Sequence, residues 1–151
     1  MAYTLSVSLS LAQSFVLAKP DTAKLKALQE QVGHAESLTY LYLKTYYKPA
    51  SPKNSVIFNE WDKERACAFQ QNFESGISYA ISNCEEGKGI SEMVTFPKVS
   101  LTALRSFIET LYLEPDNSWV APLLFEPEEV GCFYEIKETD KNVSIEIFCG
   151  C

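Results

Sequence analysis

The chain has 151 residues, 46% of them hydrophobic and 22% charged, which suits a single soluble globular domain that buries a core without help from metals. Its formal net charge is −7: residues 1–100 carry ten acids and ten bases, which cancel, so the whole imbalance lies in residues 101–151. There Glu109, Glu114, Asp116, Glu126, Glu128, Glu129, Glu135, Glu138, Asp140 and Glu146 face only Arg105, Lys137 and Lys141, which argues against nucleic acid or an anionic membrane as partner and for a cationic protein.

In chain order, residues 4–11 place Leu5, Val7, Leu9 and Leu11 on one face and serines between them, the period of a half-buried strand. The stretch from Met1 to Pro20 superficially resembles a secretory leader, but it has no basic start and serines interrupt its apolar run. No segment approaches the roughly eighteen apolar residues of a membrane span. Pro20-Asp21 opens a short helix with Leu25, Leu28 and Val32 as its stripe and Gly33 at its end. Residues 37–47, rich in tyrosine, suit a second strand, and Lys48–Asn54 a loop. Tyr40, Tyr42, Tyr46 and Tyr47 beside Lys44, Lys48 and Lys53 are residue types that stack on single-stranded nucleic acid, although alternation directs about half of the rings to the core.

A short strand is expected at Val56–Phe58. Asn59 then caps a helix whose stripe is Trp61, Ala68, Phe69, Phe73, Ile77, Ala80 and Ile81. Gly76 weakens that helix, and Ile77, Tyr79 and Ile81 also alternate, so a late strand is the alternative. A strand at Met93–Phe96 precedes a third helix, capped by Ser100 and carrying Leu101, Leu104, Phe107, Ile108 and Leu111. Residues 115–130 hold three prolines and read as an ordered loop. Two alternating runs, 131–138 and 143–149, form a β-hairpin in which parity sets Cys132 against Cys149 or Cys151. The whole is one α+β domain over residues 1–151, mostly antiparallel, with about three helices and a C-terminal hairpin.

Chemistry-bearing motifs are few. His34 is the only histidine, and the Gly-x-Ser-x-Gly motif of a serine nucleophile is absent. Gly87-Lys88-Gly89 lacks the pattern of a phosphate loop, and Glu126-Pro127-Glu128-Glu129 lacks cation-ligand spacing. Five cysteines at irregular spacing make a poor disulfide framework, so a reducing, cytoplasmic setting is expected, with Cys132 and Cys149 as small core residues. Trp119, in an acid-flanked segment, is either a plug over the core or an interface anchor.

In size, acidity and lack of catalytic residues the chain is similar in kind to small bacterial immunity proteins, which neutralise a toxic, often basic, enzyme. That likeness implies a non-enzymatic, acidic inhibitor that blocks the surface of a basic toxin, nuclease or other effector. Trp119, Glu126, Glu128, Glu129, Glu135, Glu138 and Asp140 would be its partner-binding residues, with no cofactor or metal. The rivals are a small enzyme whose site has no local motif and a thiol or metal protein using Cys132, Cys149 and Cys151.

Overall fold

The computed structural model describes residues 14–85 and 87–150. The strand expected at 4–11 lies outside them, as does Cys151. Two helices come first, α1 (Thr22–Gln31) and α2 (Leu38–Tyr46). Four strands follow, β1 (Asn54–Phe58), β2 (Ala66–Phe73), β3 (Ile77–Ser82) and β4 (Ile90–Pro97). After α3 (Leu101–Leu111) come β5 (Asn117–Ala121), β6 (Leu124–Pro127), β7 (Cys132–Glu138) and β8 (Asn142–Cys149). The strands form one antiparallel sheet in the order β1-β2-β3-β4-β8-β7-β6-β5, so two meanders meet at the β4–β8 seam. The domain is α+β, as its sequence implies.

Each helix begins at the polar residue that its local chemistry favours. Asp21, Ser37 and Ser100 accept hydrogen bonds from the amides of Lys24, Tyr40 and Ala103, each at 3.1 Å, satisfying donors that the first turn leaves free. At the end of α1, Gly33 (φ 61°) donates to Glu30 O and His34 donates to Gln29 O, the paired bonds of a Schellman cap.

Three expectations are corrected. Residues 37–47 are not a strand but are mostly the helix α2. Five consecutive residues, Thr39 to Leu43, are buried, so the helix lacks the polar face that would have revealed it. The helix expected after Asn59 is instead the hairpin β2–β3. Positive φ at Ser75 (64°) and Gly76 (77°) turns the chain, and the alternative strand at Ile77–Ile81 is the form present. Phe69, Phe73, Ile77 and Ile81 lie four apart, a spacing that shares one face in a helix and in a strand alike. Residues 115–130 contain β5 and β6, strands of five and four residues, too short to show a period.

All three helices cover one face of the sheet. Phe69, Tyr79, Val94, Ile145 and Ile136 project to that side and join Leu25, Tyr42, Leu43, Leu104, Phe107, Ile108 and Leu111 in the core. Each such side chain contributes roughly 1.5–3 kcal/mol by burial. The tyrosines of α2 are part of this packing. Tyr42 stacks edge-on to Phe107 at 4.9 Å, while Tyr46 and Tyr47 accept hydrogen bonds from the amides of Asp21 and Ala18. Tyr42, Tyr46 and Tyr47 are thereby engaged within the fold.

Four cysteines form two disulfides, Cys67–Cys84 and Cys132–Cys149, correcting the reading of the five as a poor disulfide framework and of Cys132 and Cys149 as unpaired core residues. The hairpin takes the register centred on Asp140-Lys141, with Cys132 opposite Cys149 and Lys137 opposite Ser144. Both bridges lie at the end of the sheet where the loops 59–65, 83–89 and 128–131 gather. Gly89 packs against this end with φ 79°, and a Cβ there would sit 2.6 Å from the Cys149 carbonyl oxygen. Gly89→Ala is therefore expected to destabilise the fold by about 1–3 kcal/mol, read as a lowered thermal midpoint; an unchanged midpoint would show that this contact yields freely.

Candidate functional site

Strand parity sends every second side chain to the face that none of the described helices covers. On it, Ala68 pairs with Ser82 and Ser82 with Ser91, giving a floor of small residues across β2, β3 and β4. Larger groups rise on either side: Ile57 from β1, and Met93, Phe148, Phe133 and Leu124 from β4, β8, β7 and β6. Together they line a trough of about 560 Å³. The lining residues come from seven neighbouring strands, β1 to β4 and then β8, β7 and β6. Met93 and Phe148 are 41% and 44% exposed, too much apolar surface to be explained by core packing.

The charged side chains of this face sit at one side. Glu135 of β7 lies directly opposite Glu146 of β8, and Glu126 of β6 shares their face, two residues beyond Leu124, which pairs with Glu135. Like charges directly opposite on neighbouring strands are destabilising. Lys137 relieves only part of this, with its Nζ 3.0 Å from Glu146, and that hydrogen bond is the main cause of its raised pKa. Three carboxylates and one ammonium thus border an apolar trough.

The expected partner-binding residues fall in separate places. Glu126 and Glu135 lie on the uncovered face. Glu128 and Glu129 occupy the β6–β7 loop at the disulfide end. Glu138 and Asp140 sit at the opposite end, about 20 Å away at 3.3 Å per residue along β7, and Glu138 is engaged by Lys98 at 3.1 Å. They do not form one rim. Trp119 belongs to the helix-covered side: its ring lies 5.0 Å from Phe125 and 4.3 Å from the Arg105 guanidinium, and its indole N–H donates to Glu109. It closes the edge of the core. Glu146, Met93, Phe133 and Phe148 were missed as site residues. The alternation of the hairpin already separated Phe133, Glu135 and Lys137 from Cys132, Tyr134 and Ile136, but nothing local said which set the helices would leave uncovered.

The described residues that the rival readings would use lie apart from the trough or are already engaged. His34 is exposed in a left-handed turn (φ 57°) away from the trough. Glu92 shares the helix-side face with Ile81 and Ile147, where burial pushes its pKa up, and Tyr79 donates a hydrogen bond to it. Two of the three thiols that a C-terminal metal site would use are joined in a disulfide, and no grouping of three metal-ligating side chains occurs among the described residues. No described helix is long and apolar enough to cross a membrane. Comparison with protein-family models, with curated proteins and with solved structures finds no match.

Proposed function

We propose that this chain is a non-enzymatic binding module of the immunity or inhibitor type, whose uncovered sheet face seats and blocks a basic protein. The observation that carries the reading is the Glu135–Glu146 pair set against the exposed Met93 and Phe148. A like-charge pair that Lys137 only partly compensates, set beside apolar surface, is relieved further by a cation carried on an apolar partner surface, and the same pair disfavours stacking two copies of this face on each other. The net charge of −7 adds long-range attraction for a cationic protein.

The expected cytoplasmic setting rested in part on reading the cysteines as unpaired. Two disulfides remove that ground and support action in an oxidising compartment.

The test begins with a partner captured at low salt, whose association rate is then followed across a salt series. The wild-type rate should fall steeply as salt rises, and Glu135→Lys with Glu146→Lys should slow association about tenfold or more. Phe148→Ala should act mainly on dissociation, weakening binding by about 1–3 kcal/mol. A salt-indifferent rate, or full binding after both charge reversals, would reject this face as the site.

A further inference from the structure

The outer edge of β1 lies at the far side of the sheet from Glu135 and Glu146, although its Ile57 also lines the trough. All five residues of β1 are exposed, with Ile57 at 54% and Phe58 at 52%. Among the described residues no strand pairs with its outer side, so half of its backbone N–H and C=O groups face away from β2, the arrangement that recruits another strand. Trp61, 88% exposed, stands just beyond it, held in a turn by the hydrogen bond from its amide to the Asn59 side chain at 2.9 Å. Such a run of apolar side chains on a free edge is what monomers ordinarily suppress with charge.

We infer that the occupant of this edge is a second copy of the same chain, paired β1 to β1 in antiparallel fashion to join two sheets across a two-fold axis. Charge selects that partner. Residues 54–58 carry no charge; exposed Lys53 precedes them, its ammonium 4.3 Å from the Phe69 ring centroid, and Glu60 is the first charge after them, ahead of Asp62, Lys63, Glu64 and Arg65. Antiparallel self-pairing sets the Lys53 end of each copy against the Glu60 end of the other, so each complementary contact occurs twice. The opposite edge, β5, has acids (Glu114, Asp116) before it and no base close after it, so the same operation there brings no complementary charges together. Because β1 and β7 lie at separated positions in the strand order, a β1 dimer leaves Glu135 and Glu146 free.

The contact is small, so a weak dimer is expected, on the order of micromolar in Kd. Sedimentation equilibrium of the full chain from about 1 to 500 µM should show a concentration-dependent dimer. Val56→Lys should raise its Kd at least tenfold, and Trp61→Ala should weaken it also, providing a second reading should the lysine disturb the strand. Glu60→Lys should weaken the dimer, and Lys53→Glu combined with Glu60→Lys should restore it, since the swapped charges again complement each other. A chain that stays monomeric throughout the range, or a dimer indifferent to Val56→Lys and Trp61→Ala, would overturn the inference. A dimer that Glu60→Lys leaves unchanged would overturn the antiparallel charge pairing.

Discussion

Reducing both disulfides is expected to remove about 6 kcal/mol of stability, roughly 3 kcal/mol for each bridge. Each closes a loop with a sequence separation of 17, and the chain-entropy relation for loops of that length gives this figure. A domain of this size has a total stability of about 5–15 kcal/mol, so the reduced protein would sit near the edge of folding. At about 2–4 °C per kcal/mol, the thermal midpoint should fall by about 12–24 °C. The loss should be felt first at one end of the sheet. Cys67–Cys84 ties the start of β2 to the β3–β4 loop, and Cys132–Cys149 ties the start of β7 to the end of β8. Thermal melts of oxidised and reduced protein measure the effect, and alkylation identifies the bonds: at most one of the five cysteines should react before reduction, and all five after it. Three or more reactive thiols in the folded, unreduced protein would contradict the pairing.

Glu92→Gln is expected to stabilise the protein at neutral pH and to flatten its stability profile. Glu92 lies on the helix side of β4, near the buried Tyr79, Tyr112 and Tyr134, whose own pKa values are raised in part by its charge. Burial pushes the carboxyl above its ordinary value of 4.5. The folded protein therefore holds this proton at pH values where the unfolded chain has released it. Stability is full below the ordinary value and falls as pH rises toward the raised one, by up to about 1.4 kcal/mol per pH unit. Glutamine keeps an acceptor for the Tyr79 hydroxyl and carries no charge. Glu92→Ala should instead destabilise, by about 1–3 kcal/mol, because it leaves that buried hydroxyl unpaired. Urea midpoints measured from pH 4 to 9 separate the cases. The other acids titrate in both proteins, so the difference between wild type and Glu92→Gln isolates this group; equal slopes would mean that Glu92 is ionised in the folded state.

The elements legible in the sequence were those specified by contacts a few residues apart. Asp21, Ser37 and Ser100 each have a side chain that caps the amide three residues on, although only Asp21 and Ser100 stood before segments whose apolar spacing already marked a helix. The C-terminal hairpin was equally local. Its alternation and its four-residue turn reduced the pairing of Cys132 to two choices, one of which, Cys149, is the partner found. The α+β class followed from these pieces, and so did the position of the charge, because charge is a property of composition.

Tertiary structure decided what depends on distant neighbours. Thr39 to Leu43 became helix because the sheet and the other helices bury that segment on all sides, which erased the one-sided pattern by which an exposed helix is recognised. Phe69, Phe73, Ile77 and Ile81 became strand because Ser75 and Gly76 turn the chain between them; their spacing alone fits both structures. Cys67 met Cys84 only once β2, β3 and the loop after β3 had formed. The candidate site belongs to this second class. Glu135 and Glu146 were visible as acids, and parity set them on one side of the hairpin. They border an open apolar trough, rather than lie under a helix, because α1, α2 and α3 all pack on the other face, and no residue within the hairpin encodes that choice.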